Sequence, residues 1–397
     1  MNKRKILLLC VPDPNNNPRP NRMIHGLNGK YKLTVVGGAH INTEGIRSYS
    51  LHKKGEKETF FERVTRSLKK YYFYGIQYAF FLITKQYESI YWAKYNLIKP
   101  ICDELSDENF DLIVSHDLVL LPLVFAIKGS KRIKVILDAR EFYPKDVDDS
   151  FLWRVVSKKA NEYLCEKYLS KCDKVITVSD GIAEEYAQIY DIPKPDVVMS
   201  LPYSYQLEPS VTSEDSINLI YHGNANSSRQ TELMIEMMDF ADSRFTLDLM
   251  LINKKSNIYW QKINSMAQER QNVRVIAPVR MKEIVPFTNT YDMGVFFVPP
   301  TNFNLEYTLP NKFFEFIQAR LAVAIGPSIE MSKLVRKYDC GIISENFSPE
   351  SLAKELNQLT SDQINYYKAQ SNKAAKVLNA ETNKSLVLDM VHKILEE

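Results

Sequence analysis

Residues 308–328 read TLPNKFFEFIQARLAVAIGPS, and their interpretation decides the fold. Leu309-Pro310-Asn311-Lys312 makes a corner, and proline suits the first turn of a helix, where its missing N–H costs nothing. Phe313, Phe314 and Phe316 then follow on a helix that looks buried on most sides. LAVAIG (321–326) is a short apolar run without polar alternation, as expected of a strand covered on both faces. A helix leading into such a strand is one unit of an α/β protein.

Working outward, the same alternation recurs along the chain. KILLLCV (5–11), KLTVVGG (32–38), DLIVS (111–115), IKVILDA (133–139), KVITVS (174–179) and DVVMS (196–200) read as buried parallel strands. INLIYHG (217–223), FTLDLML (245–251), NVRVIAP (272–278), MGVFFVP (293–299), LAVAIG and CGIIS (340–344) form a second series. Two series predict two doubly wound domains, with ligands at the C-terminal ends of the strands. A length of 397 residues also exceeds one ordinary core. The boundary falls in SLPYSYQLEPSVTSEDS (200–216), giving domains 1–204 and 205–397, the last helix being able to pack back on the first. Residues 58–105 break the pattern: dense in Phe, Tyr, Lys and Arg, they read as amphipathic helices inserted into the first domain.

Charge is unevenly placed. The chain total is +3, but residues 1–100 hold 18 Lys and Arg against six acids, so the remainder carries −9. Five scattered cysteines, with no C-x-x-C pair or metal-ligand spacing, suit a reducing cytosol. The run Ile6–Val11 is too short for a signal peptide, and no window reaches the ~18 apolar residues of a membrane span. The expected location is cytoplasmic. Aromatics interleaved with cations in 58–105 suggest peripheral contact with an anionic membrane surface on its inner face.

Two segments carry candidate chemistry. In YHGNANSSRQTELMIEM (221–237) a strand ends at Gly223, and a helix is expected to start near Ser227 or Ser228, with Arg229 in its first turn. Glycine lets backbone approach a ligand, and a guanidinium in a first turn suits phosphate oxygens. An ordinary strand–turn–helix joint with a surface arginine is the alternative. Lys312, a cation at a helix N-terminus, opposes the dipole unless an anion is bound. Glu315, one turn deeper, needs a partner such as ribose hydroxyls. A Lys–Glu surface pair is the alternative there. His116 and His222, each near a strand end, are either structural or cleft residues.

At these residues the sequence resembles a known family. The order of elements is similar to that of the GT-B fold glycosyltransferases of the retaining, GT4-like kind, especially bacterial enzymes of capsule and lipopolysaccharide assembly. LPNKFFEFIQARLAVAIG (309–326) resembles their donor-binding segment and RVIAPV (274–279) their nucleobase loop. YHGNANSSRQTELMIEM resembles their phosphate loop, and VILDAREFYP (135–144) their Asp-x-His-Glu segment. KYLSKCDKVITVSDGIAEEYAQIYDIP (167–193) resembles the helix, strand and helix that follow.

The resemblance implies two Rossmann-like domains facing across a cleft. It also implies transfer of a hexose from a nucleotide sugar to a glycan or lipid-linked acceptor, with retention. The nucleotide sugar is a co-substrate, and neither a metal, a further cofactor nor nucleic acid is expected. Arg229, Lys312 and Arg140 would be catalytic. Gly223, Asn224, Pro278, Val279, Leu309, Pro310, Asn311 and Glu315 would hold the donor, and Arg19, Arg22, His116, Asp138 and Glu141 would face the acceptor. In the basic loop 11–22, Arg19 and Arg22 are either phosphate contacts or solvated arginines.

Two positions depart from the family pattern. The first acid of its Glu-x7-Glu pair falls on Tyr307, and the histidine of Asp-x-His-Glu is Arg140. Arginine stabilises charge but does not exchange protons near neutral pH. Two rival readings follow: a nucleotide-sugar epimerase on the same fold, and a nucleotide-sugar-binding protein without turnover.

Overall fold

The computed structural model describes residues 3–51, 80, 83–89, 99–146, 151–252 and 257–397. The expected insertion at 58–105 lies outside the described residues except for residues 80, 83–89 and 99–105. The chain divides into two compact units. Unit 1 comprises Met1–Val178, Ile182–Val198 and Leu386–Glu397; unit 2 comprises Ser179–Gly181 and Met199–Ser385.

Unit 1 is built on β1 (Lys5–Leu9), β2 (Lys32–Gly37), β3 (Arg47–Ser50), β4 (Leu112–Ser115), β5 (Lys134–Asp138), β6 (Lys174–Thr177) and β7 (Asp196–Val197). Their order is β3-β2-β1-β4-β5-β6-β7, all parallel. The order reverses between β1 and β4, where Leu9 pairs with Ser115. Six of these strands were legible as apolar runs. The seventh, β3 (RSYS), is a polar, half-exposed edge strand and carries no such signal.

Unit 2 carries β8 (Ile217–Asn224), β9 (Phe245–Ile252), β10 (Val273–Ile276), β11 (Met293–Phe296), β12 (Ala322–Ile325) and β13 (Gly341–Ile343), in the order β10-β9-β8-β11-β12-β13. This sheet is parallel too, and reverses between β8 and β11. Every residue of β11 and β12 is buried, because helices cover both faces.

The aromatic run of 308–328 has a physical reason. Helix Asn311–Gln318 presses Phe313, Phe314, Phe316 and Ile317 into the core, all fully buried. Phe316 seats on Gly294 of β11 so closely that a Cβ there would lie 2.2 Å from the ring. This close approach fixes the first turn of the helix, with Lys312, at the C-terminal edge of the sheet. Pro310 caps the helix from extended backbone, and Leu309 before it is buried.

In unit 1 the core gathers Ile6, Leu8, Val35, Leu112, Val114 and Ile136. Val387, Val391 and Ile394, from the end of helix Ala380–Glu396, belong to the same cluster.

Candidate functional site

In unit 2 the site starts where β8 runs out. Gly223 has φ +147°, backbone that side-chain-bearing residues rarely adopt. A Cβ there would lie 3.1 Å from Lys312 Nζ. The chain then turns through Ala225, whose carbonyl accepts from Asn257 Nδ2 at 2.8 Å.

The helix expected from Ser227 or Ser228 begins later. Asn226 Oδ1 accepts from Ser228 N at 3.1 Å and closes a single 3-10 turn, Ser227–Arg229. Gln230 then adopts left-handed backbone, φ 44°, and the helix runs only over Glu232–Met237. Arg229 therefore sits on a separate turn, and no long helix dipole stands behind it. Tyr259 braces this loop: its hydroxyl accepts from Thr231 N at 2.7 Å and donates to Glu232. A cavity of about 410 Å³, lined by Asn224, Ala225, Asn226, Ser227, Ile252, Asn257 and Tyr259, opens beside the ends of β8 and β9.

Lys312 comes to this corner from the other side of the strand switch. Its ammonium lies 5.1 Å from the Tyr221 ring centroid and 5.4 Å from that of Phe296, a pair of cation–π contacts. Burial and the nearby Arg229 guanidinium push its pKa down to about 7, against the pull of Glu315. His222 Nε2 lies 3.5 Å from Glu315 Oε2. Burial, aided by Lys312, lowers the imidazole to about 3, so His222 is neutral and the contact is not an ion pair. The structure thus brings Gly223, Arg229, Lys312 and Glu315 together. Asn224 and Asn311 are exposed at its rim, while Pro278 (exposed) and Val279 (half-buried) follow β10, two strands away.

Unit 1 holds the remaining candidates at the ends of β4 and β5. Asp138 is fully buried, and Arg19 donates to it from Nε (2.7 Å to Oδ2) and Nη2 (2.7 Å to Oδ1). Burial works to raise this carboxyl's pKa, but Arg19 and a bond from His116 outweigh it and hold it well below the usual range. Arg19 is therefore no solvated surface arginine: it lies on helix Pro18–Leu27 and is 8% exposed. His116 Nδ1 is 2.9 Å from Asp138 Oδ2, while its Nε2 is buried with no hydrogen-bond partner. Arg140 donates to Asp117, which also accepts from Tyr143 Oη at 3.1 Å. Arg22 is half-buried and Glu141 exposed.

Sequence reasoning missed Tyr221, Asp117 and Tyr143. Tyr221 carried one signal, a hydroxyl in a mostly buried strand two residues before Gly223 and so on the same side. Tyr307, at the position of the family's first acid, packs against Phe303 with ring centroids 4.7 Å apart and the planes tilted by 36°.

No protein-family model matches the sequence, and no curated protein matches it. Solved structures are similar over nearly the whole chain. A glycosyltransferase from Rickettsia africae ESF-5 is 12% identical, covers 100% of both chains and has a TM-score of 0.69. Sucrose-phosphate synthase from Thermosynechococcus elongatus is 11% identical over 99% of this chain and 100% of that one, at 0.72. HepE from Anabaena, in complex with UDP-glucose, is 10% identical over 98% and 99%, at 0.70. At such identities the likeness establishes the fold: GT-B, with two Rossmann-like units.

Proposed function

We propose that this chain is a nucleotide-sugar-dependent glycosyltransferase that transfers a hexose, with retention, to a glycan or lipid-linked acceptor of bacterial surface-glycan assembly. One observation carries the reading: Lys312 lies over Gly223, whose backbone would strain any side chain, with the Arg229 charge acting on the lysine and Glu315 one turn behind. Two cations near bare backbone suit a diphosphate, and the carboxylate suits a ribose diol. As the bond from anomeric carbon to phosphate oxygen breaks, Arg229 and Lys312 stabilise the charge gathering on the leaving diphosphate, so the step needs no metal. In a retaining transfer that diphosphate takes the acceptor proton, and Arg140 need not act as a base. Arg19, Arg22, His116, Asp138 and Glu141 are assigned to the acceptor. We assign the enzyme to the cytoplasm, at the inner membrane face, where it would meet a lipid-linked acceptor.

The test is release of nucleoside diphosphate from UDP-glucose and other nucleotide sugars, with and without lipid acceptor. Lys312→Ala and Arg229→Ala should each slow turnover about 10²–10³-fold, the usual cost of one electrostatic donor, without lowering the melting temperature. Full turnover in either variant removes that residue from the diphosphate site. A second reading, binding without turnover, is favoured by Tyr307 and by the tie between Arg140 and Asp117. Nucleotide-sugar binding without any release of diphosphate would establish it.

A further inference from the structure

We propose that the hydroxyl of Tyr221 donates a hydrogen bond to the anion held over Gly223, making the phenol a third member of the diphosphate site beside Arg229 and Lys312. The inference rests on the nucleotide-sugar reading and deepens it.

Tyr221 is fully buried in β8, and its hydroxyl has no hydrogen-bond partner. Other buried tyrosines are not like this. Tyr186 donates to Glu141 O at 2.8 Å and Tyr143 to Asp117 at 3.1 Å. A buried hydroxyl left unsatisfied is costly, and phenylalanine would fill the same space without that cost. The hydroxyl therefore implies a partner supplied from outside the chain.

Its position indicates the partner's chemistry. A Cβ built on Gly223 would lie 3.9 Å from Tyr221 Oη and 3.1 Å from Lys312 Nζ, so both atoms border the space that the missing side chain leaves. Arg229 lies close enough for its charge to favour the phenolate of Tyr221, and its Nη1 is likewise buried with no hydrogen-bond partner. The ammonium and the phenol O–H border this space, and the Arg229 guanidinium, close enough to act electrostatically on both, adds a further buried donor. An anion with several acceptor oxygens satisfies them together, and a diphosphate is such a group. The ring has a separate task, since its face supports the Lys312 ammonium at 5.1 Å.

Tyr221→Phe separates the two tasks, because it keeps the ring and deletes the hydroxyl. Binding of UDP, GDP, ADP, uridine and inorganic pyrophosphate to the full chain is measured by calorimetry, beside Lys312→Ala and the melting temperature of each free protein. Free Tyr221→Phe should melt at the same temperature or higher, as an unsatisfied polar group is gone. Its affinity for the preferred nucleoside diphosphate and for pyrophosphate should fall about tenfold or more, the scale of one hydrogen bond to a charged acceptor. Uridine binding should not change. If Tyr221→Phe binds diphosphates as tightly as the unsubstituted chain while Lys312→Ala does not, the hydroxyl is no ligand and this inference falls alone. If the unsubstituted chain binds neither a nucleoside diphosphate nor pyrophosphate, the nucleotide-sugar reading falls with it.

Discussion

At the scale of single residues, Lys312 holds its charge where charge is resisted. The free side chain is half-buried and lies near Arg229, and its pKa of about 7 means that much of the protein carries it neutral at pH 8. A bound diphosphate would restore the charge, so binding at pH 8 should take up close to one proton, whereas binding at pH 6 should take up none at this site. Calorimetry of the diphosphate in buffers of different ionisation enthalpy reads this directly. Lys312→Arg, always charged, should abolish the uptake; uptake that survives in Lys312→Arg would place the titrating group elsewhere. The sign for folding runs the other way from an ion pair. The penalty on the charged form is full below about pH 7 and is relieved as pH rises towards 10.5, so this residue costs less stability on the alkaline side and none above that pH. The lysine and its neighbouring acid were legible because a cation at a helix N-terminus breaks a rule. Tyr221 was not, since a buried aromatic in a strand looks like core. The link from Asp138 to Arg19 and His116 was hidden for another reason: it joins residues 119 and 22 positions apart.

At the scale of elements, helix Asn311–Gln318 is seated closest to its sheet at Phe316 on Gly294. Gly294→Ala would place a methyl 2.2 Å from that ring and force the helix or the ring to shift. Such overpacking typically costs about 1–3 kcal/mol. Thermal unfolding should show that loss, and diphosphate titration a weaker affinity, because Lys312 and Glu315 move with the helix. Unchanged melting and affinity would show that this contact does not set the helix position. Strands such as β11 and β12 were readable because burial on both faces leaves an uninterrupted apolar run. The short turn carrying Arg229 was not, since it depends on an Asn226 cap and a left-handed Gln230, local geometry that a sequence pattern does not encode.

At the scale of the whole molecule, residues 1–100 carry +12 and the rest −9, with the aromatic and basic stretch 58–105 in the positive part. Residues 52–79, 81–82 and 90–98 of that region lie outside those described. No described helix is long and apolar enough to cross a membrane. Flotation with anionic vesicles tests the surface reading: the protein should rise with them at low salt and be released as salt shortens the Debye length from about 10 Å at 0.1 M. Protein that stays at the bottom at low salt refutes it. The return of Leu386–Glu397 to unit 1 bears on how the chain is made. Val387, Val391 and Ile394 belong to a core whose other members emerge from the ribosome up to 388 residues earlier, from Ile6 onward. Unit 1 thus begins before unit 2 and gains part of its core only after it: a nascent chain halted before Leu386 lacks these three members and exposes the apolar surface that they cover.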